Sequence, residues 1–187
     1  MVFTLILQAV YFTVPAYFAN MAPVIAQKLK LLPELNKPVD LGSKIDNIPL
    51  FGKNKTFRGF IAAIAGGILG AFIQKLLYNI QFFNSISVTD YSNWLLIGFL
   101  LGAGAITGDL VESFFKRRLK LRPGKPWIPF DQTDFIIGAY LFAWPFYYTF
   151  ASFSFLSLFL TSFVASFFLH IATNHISYYL RIRKEKW

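Results

Sequence analysis

Four apolar tracts alternate with polar, charged segments along the chain, at about residues 2–26, 59–78, 93–115 and 135–179. A helix that crosses a membrane needs roughly 20 mostly apolar residues, so the last tract is too long for one crossing. It predicts two helices that turn near residues 152–157. The pattern therefore predicts an all-α polytopic membrane protein with five transmembrane helices, forming a single membrane domain over residues 1–187.

Small residues and prolines mark particular tracts. Pro15 and Pro23 lie in the first tract, and the third contains several glycines. Gly66, Gly67 and Gly70 follow one another at helical spacing in the second tract. Because small residues let helix backbones approach closely in a membrane, these three positions predict tight helix packing.

The composition supports the membrane assignment and limits the chemistry. The chain is 56% hydrophobic and 14% charged, whereas soluble domains are about 45–50% apolar and about 25% charged. It has no cysteine, which excludes disulfides and thiolate metal sites. Any metal would depend on carboxylates, which suit a hard ion such as Mg²⁺.

The basic residues are distributed asymmetrically. Every Lys and Arg except Lys75 lies in one of three segments: a loop at about 27–58, a loop at about 116–133, or the C-terminal tail. The positive-inside rule places these segments in the cytoplasm and the N-terminus outside. The prediction is a multi-pass protein of the cell membrane. Basic residues alone would only set this topology and contact anionic lipid.

Topology does not require acids, yet both ends of the second basic loop carry them. Asp109, Glu112, Ser113, Lys116 and Lys120 are spaced so that they share one face of a helix. An acid within a membrane span usually marks a functional site. The alternative for Asp109 is a structural ion pair with a nearby Lys or Arg.

Two further acids, Asp131 and Asp134, follow a proline-rich loop and open the next apolar tract. Either one alone could cap a helix. Together with Asp109, and among so many cations, they predict a different arrangement. Carboxylates would hold Mg²⁺, the metal would bridge phosphate oxygens, and Lys and Arg would neutralise the remaining charge.

The first basic loop ends in "FGKNKTFRGF", residues 51–60. Lys55, Thr56 and Arg58 lie where the second apolar helix begins. A helix N-terminus with a basic residue and a hydroxyl group is suited to bind an anion. The segment lacks the spacing of a Walker A loop, and taken alone it is also typical of a snorkelling basic anchor.

"GDLVESFFKRR…IPFDQTD" resembles the signature region of the CDP-diglyceride synthase superfamily. The matching positions are Asp109, Ser113, Lys116, Arg117, Lys120, Asp131 and Asp134. The first-loop segment "PVDLGSKIDNIPLFGKNKTFRGF", the "NMAP" near Asn20 and residues near the C-terminus resemble the archaeal branch, the CDP-archaeol synthases. The chain lacks the His-Gly-Gly of the bacterial-type signature and has Gln132 where that signature has Arg, so contacts of those residues do not transfer.

The resemblance implies a CTP-dependent cytidylyltransferase that converts 2,3-bis-O-geranylgeranylglycerol 1-phosphate to CDP-archaeol and pyrophosphate, with Mg²⁺. It implies the catalytic residues Asp109, Asp131, Asp134 and Lys116, of which the three aspartates would bind the metal. For this reaction we predict that Lys116, Arg117 and Lys120 hold the triphosphate, and that Lys55 and Arg58 bind either the leaving pyrophosphate or the lipid phosphate. Glu112 would support a metal ligand. The full set of predicted substrate-binding residues is Lys55, Thr56, Arg58, Glu112, Ser113, Arg117, Lys120 and Lys125. The implied partners are CTP, a polyprenyl ether-lipid phosphate and the bilayer, and not nucleic acid.

Three other classes of protein compete with this interpretation. The glycine-rich helices would also suit a small transporter of an anionic substrate, whose site should lie near the membrane midplane. A CDP-alcohol phosphotransferase would need a D-G…A-R…G…D-x-x-x-D pattern, which this sequence lacks. A membrane anchor for nucleic acid or protein would use the basic loops but leave the three aspartates unexplained.

Overall fold

The computed structural model describes residues 2–121, 125–150 and 154–179. It is mainly helical. The α-helices within the described residues are α1 (Val2–Phe12), α2 (Val14–Lys28), α3 (Phe57–Leu77), α4 (Gln81–Ile86), α5 (Trp94–Arg118), α6 (Phe130–Phe150) and α7 (Phe155–Tyr179). A 3₁₀ turn (Pro33–Leu35) and a two-stranded antiparallel hairpin, β1 (Lys44–Ile45) with β2 (Ile48–Pro49), lie between α2 and α3. The hairpin is a small departure from the all-α prediction.

The first apolar tract is broken rather than continuous. α1 and α2 meet at Thr13 and are bent by 41°. Pro15 has no N–H to donate to the carbonyl of Tyr11, so the proline frees that acceptor. The Gln74 side chain of α3 donates to the Tyr11 carbonyl instead. The bend thus lets a polar side chain of a neighbouring helix satisfy the backbone.

Glycines bring the central helices into close contact. A Cβ atom on Gly67 of α3 would lie 2.6 Å from the Cα of Gly102 in α5. A Cβ on Gly104 of α5 would lie 2.7 Å from the Cα of Ala139 in α6. Hypothetical Cβ atoms on Gly66 and Gly70 would likewise overlap α2, which confirms the predicted close packing. Side chains at these positions would push the helices apart.

Buried hydroxyl groups attach α7 to the helices it contacts. Tyr140 of α6 and Ser162 share a hydrogen bond of 2.7 Å, and Tyr17 of α2 and Ser166 share one of 2.5 Å. Both serines are fully buried. Hydrogen bonds of this kind are common between helices in membranes. They place the C-terminal helix against both α6 and the bent N-terminal pair.

Three described helices are long and apolar enough to cross a membrane: Phe57–Leu77, Trp94–Arg118 and the Phe155–Thr173 part of α7. The bent pair of α1 and α2 supplies a fourth span if it crosses as one unit. The protein is therefore a multi-pass membrane protein. A fifth crossing and the orientation of the termini stay predictions, and the predicted turn near 152–157 lies partly outside the described residues.

Candidate active site

Three carboxylates from two helices converge beside the tightest helix contact. Asp109 and Glu112 of α5 and Asp134 of α6 each place a carboxylate oxygen within 4.8 Å of the others. Gly108 makes this possible, because a Cβ there would overlap the backbone carbonyl of Asp134. Glu112 is buried and Asp109 is half-buried. Three oxygen donors this close together fit a hard divalent cation such as Mg²⁺. We call Asp109, Glu112 and Asp134 the carboxylate group.

Asp131, a predicted metal ligand, has other partners. One of its oxygens accepts a bond from Lys116, and the other accepts the backbone N–H of Trp127 at 2.8 Å. Lys116 also forms an ion pair with Glu112 at 2.6 Å. Lys116 thus lies between the two acids and links Asp131 to the carboxylate group. The structure brings Asp131 close to the predicted site, but Glu112 takes the position next to Asp109 and Asp134.

Lys55 connects the first basic loop to the carboxylate group. Its ammonium group lies 2.6 Å from both oxygens of Asp109, and each side chain is about one-quarter exposed. The neighbouring Thr56 caps α3, where its hydroxyl accepts the Gly59 N–H at 3.2 Å. Asp109 therefore has the ion-pair partner expected of a structural acid, and it also belongs to the carboxylate group. The sequence suggests either a functional acid or a structural ion pair for Asp109, and the two are compatible.

Residues 37–56 form a compact lobe, here called the first-loop lobe. The Val39 N–H bonds to the Lys55 carbonyl at 2.8 Å, which closes the base of the lobe. Within it, buried Asp40 accepts the backbone N–H groups of Gly42, Phe51 and Gly52 at 3.0–3.3 Å. Burial raises the pKa of Asp40, but these hydrogen bonds outweigh burial and hold the pKa below the ordinary value for aspartate.

A polar cavity of about 360 Å³ lies between α2, α3, α5 and the first-loop lobe. Two predicted binding residues line it besides Asp109 and Lys55: Thr56 and the buried Arg58. The Arg58 guanidinium group donates to the side-chain oxygen of Asn36 at 2.8 Å. Several amides and one lysine of the lining were not predicted as binding residues: Asn20, Gln27, Asn36, Lys53 and Asn54.

An apolar groove of about 400 Å³ lies on the other side of α5, against α6. Glu112 and Asp134 are the two charged residues among those that line it. Its apolar lining includes Val111, Phe115, Trp127, Phe130, Ile137, Leu141 and Phe142. A third cavity of about 480 Å³, between α6 and α7, shares Ile137 and Leu141 with this groove. The carboxylate group is thus bordered by a polar cavity and by an apolar groove.

The remaining predicted binding residues lie at and beyond the end of α5. Ser113 is buried, and its hydroxyl lies 3.5 Å from an oxygen of Glu112. Arg117 is half-buried, whereas Lys120 and Lys125 are exposed. Arg122, counted among the basic residues of this loop, and the basic C-terminal tail lie outside the described residues. The structure therefore brings Ser113 into the site and leaves the last two lysines at its periphery.

Together, the fold and the site define a membrane-embedded enzyme whose carboxylate group faces both a polar and an apolar compartment. The family model described as "CarS-like: CDP-archaeol synthase" matches residues 2–187. The chain belongs to the CDP-archaeol synthase family, as its motifs predict. It is a nucleotidyltransferase of archaeal lipid biosynthesis.

Individual relatives resemble the chain over most of its length. A CDP-archaeol synthase of Pyrococcus furiosus is 36% identical over 183 residues, which cover 97% of this chain and 98% of the relative. That of Methanocaldococcus jannaschii is 35% identical over 192 residues and all of both chains. A solved structure, described as an intramembrane enzyme for archaeal membrane lipid biosynthesis, matches with a TM-score of 0.70 and 28% identity, covering 90% of this chain and 94% of its own.

Proposed function

We propose that this protein transfers the cytidylyl group of CTP to 2,3-bis-O-geranylgeranylglycerol 1-phosphate and releases pyrophosphate. Family membership supports a reaction that forms CDP-archaeol. The observation that carries the substrate assignment is the position of the carboxylate group. A water-soluble triphosphate suits the polar cavity on the Asp109 side. An isoprenoid lipid chain suits the apolar groove, and Glu112 and Asp134 of the carboxylate group also line that groove.

In the proposed reaction an oxygen of the lipid phosphate attacks the α-phosphorus of CTP. A new O–P bond forms, and the bond between the α-phosphorus and the bridging oxygen breaks with loss of pyrophosphate. The attacking phosphate is already ionised at neutral pH, because the second pKa of a phosphate monoester is about 6. No nucleophilic residue is required. The protein contributes orientation and stabilisation of the charge that develops.

The carboxylate group is the proposed Mg²⁺ site. Its three oxygen donors fit this ion, and no thiolate or imidazole is involved. Mg²⁺ held there would neutralise charge on the triphosphate and the leaving pyrophosphate. Lys116, held between Glu112 and Asp131, would orient both acids. We therefore propose Glu112 as a ligand beside Asp109 and Asp134, with Asp131 acting through Lys116.

The cations around the polar cavity are the proposed triphosphate contacts. Lys55 already touches a carboxylate of the metal site, and Arg58 lines the same cavity at the N-terminus of α3. A helix N-terminus adds backbone N–H donors suited to phosphate oxygens. Arg117 and Lys120 extend the positive charge along the end of α5, and Lys125 adds to it from the following loop.

The proposed topology follows from the charge distribution. Five crossings, with the N-terminus outside, would place both basic loops and the C-terminal tail in the cytoplasm. The carboxylate group lies near the basic end of α5, which ends with Lys116, Arg117 and Arg118. The site would then open to the compartment that supplies CTP.

The test is transfer of radiolabel from α-³²P-labelled CTP into lipid by purified protein in vesicles, with and without Mg²⁺. The archaeal ether phosphate is compared with a diacyl phosphatidic acid. The variants are Asp134→Asn and, as a matched control, Asp90→Asn, an exposed acid before α5. We expect CTP- and Mg²⁺-dependent labelling of the ether lipid, lost in Asp134→Asn and retained in Asp90→Asn. No labelling of either lipid by folded protein would reject the proposal.

A further inference from the structure

Arg118, the last residue of α5, has partners that distinguish it from its basic neighbours. Its guanidinium group donates to the carbonyl of Ile45 at 3.1 Å, of Ile48 at 3.0 Å and of Pro49 at 2.7 Å. These carbonyls belong to the β1–β2 hairpin in the first-loop lobe. The guanidinium also lies 5.2 Å from the ring centroid of Phe114 on α5. Arg118 therefore points its charge at backbone acceptors and not at the cavity.

The hairpin depends on such a contact because it is very short. Each strand has two residues, and an isolated two-stranded hairpin is only marginally stable in water. A planar guanidinium can direct several N–H donors at once, which a lysine ammonium group on a flexible chain does less well. The three carbonyl bonds thus attach the tip of the lobe to a rigid helix.

The same helix also carries the carboxylate group. Asp109 and Arg118 are nine positions apart on α5, or about 13 Å along a helix. Asp40 and the Val39–Lys55 bond fix the base of the lobe, and Arg118 fixes its tip. The segment after the hairpin contains Lys53 and Lys55, which line the polar cavity. The position of these lysines relative to Asp109 is therefore set at both ends.

We propose that Arg118 is a positioning residue for the nucleotide: it clamps the first-loop lobe to α5 and so holds Lys53 and Lys55 at the polar cavity. This inference rests on the proposed function. It also gives Arg118 a role different from those of its neighbours, since Lys116 is proposed to orient two acids and Arg117 to contact the triphosphate. The arrangement predicts that nucleotide binding, and not lipid binding, depends on Arg118.

The test compares Arg118→Gln and Arg118→Lys with Lys44→Ala, which removes an exposed charge from the same hairpin but no clamp. We expect both Arg118 variants to raise the KM for CTP about tenfold, since small misplacements of binding groups are costly. The KM for the lipid phosphate and the melting temperature should change little. Hydrogen–deuterium exchange of residues 43–50 should become faster in both Arg118 variants and stay unchanged in Lys44→Ala.

Three outcomes would overturn the proposal. Wild-type KM for CTP in Arg118→Lys, with a raised KM in Arg118→Gln, would mean that charge and not the clamp matters. Unchanged exchange of residues 43–50 would show that Arg118 does not hold the lobe. Faster exchange with an unchanged KM would show that lobe order does not serve the nucleotide. If the wild-type protein transfers no cytidylyl group, the proposed function fails instead, and the exchange comparison still tests the clamp.

Discussion

The polar cavity beside Lys55 and the apolar groove beside Glu112 differ in their linings, although α5 separates them and the carboxylate group contacts both. Their volumes are similar, at about 360 and 400 Å³. On one side α5 contributes Ala105, Ile106, Asp109 and Leu110, and on the other Thr107, Gly108, Val111, Glu112 and Phe115. Neighbouring positions on α5 thus line two compartments of different polarity. The comparison teaches that one group of carboxylates can border a polar and an apolar compartment at once, which is the arrangement that the proposed function requires.

The carboxylates that border both compartments give the largest expected effect. We expect Glu112→Gln to lower cytidylyl transfer by roughly 100-fold or more, because an anionic ligand of the proposed Mg²⁺ site would be lost. Asp131→Asn should lower transfer about tenfold, because Asp131 is proposed to support the metal site from its contact with Lys116 and not as a ligand. The measurement is transfer rate against Mg²⁺ concentration. Glu112→Gln should also weaken Mn²⁺ binding, followed by electron paramagnetic resonance.

Asp131→Asn is the matched control for that comparison, because it makes the same change of charge next to the same lysine. A larger loss of Mn²⁺ affinity in Asp131→Asn than in Glu112→Gln would restore the metal set predicted from the sequence, Asp109, Asp131 and Asp134. Equal losses would make both acids ligands.

The difference between these two sets of proposed metal ligands shows which features of the site can be predicted from the sequence. Helical spacing alone places Asp109 and Glu112 on one face, and Asp134 on the next apolar helix. Composition and charge asymmetry can also be read directly from the residues, without knowledge of tertiary contacts. The membrane class and the loops that carry the site are therefore predictable. Which acid of α6 lies beside Asp109 depends on how closely the two helices approach. That approach is set by Gly108 and Gly138, whose partners no sequence pattern specifies.

Two other features depend on long-range contacts in the same way. Gln74, a residue of another helix, donates to the backbone carbonyl of Tyr11 at the break near Thr13. Because this partner is distant in the sequence, the hydrophobic pattern alone predicts one continuous segment there. In the sequence, nothing distinguishes Arg118 from its basic neighbours, and only its contacts with the β1–β2 hairpin in the folded protein do so. Asp40 is one of several acids in its loop, and only the fold directs three N–H groups at it. In each case the partner is supplied by the fold.

The polar side of the comparison can be tested at Lys55. We expect Lys55→Gln to raise the KM for CTP about 30-fold and to leave the KM for the lipid phosphate nearly unchanged, because the proposed charge-assisted contact to the triphosphate would be lost. Lys53→Gln, in the same cavity but more exposed, should have a smaller effect. Steady-state kinetics with each substrate varied in turn measures both values. A selective rise in the KM for lipid would place the lipid phosphate at Lys55.

The apolar side can be tested by filling the groove. Leu141 is 59% exposed and lines both the α5–α6 groove and the α6–α7 cavity. We expect Leu141→Trp to raise the KM for the ether lipid about fivefold, because the added ring occupies space that an isoprenoid chain would fill. The KM for CTP should not change. Leu69→Trp on α3, where the leucine is 51% exposed and lines none of these three cavities, is the control.

If Leu141→Trp instead raises the KM for CTP and spares that for the lipid, the assignment of the two compartments is reversed. Equal effects of Leu141→Trp and Leu69→Trp would show that bulk on any lipid-facing surface is enough. Either result would contradict the assignment of the lipid substrate to the groove. Wild-type kinetics in Leu69→Trp is therefore needed before the effect at Leu141 is interpreted.

The smallest expected effect concerns Asp40, which supports the polar side from a distance. Its folded pKa lies below the ordinary value of about 3.9. The ionised form therefore stabilises the first-loop lobe fully above that unfolded value, and the contribution is lost as pH falls through the folded pKa.

A spin label on a Lys44→Cys variant reports the order of the hairpin, since the chain has no other thiol. We expect the label to become mobile only below about pH 4. In Asp40→Asn it should be more mobile at neutral pH and insensitive to acid, because the amide has one oxygen acceptor and does not ionise there. The same acid transition in Asp40→Asn would assign the titration to another group and leave the base of the lobe held by its backbone bonds alone.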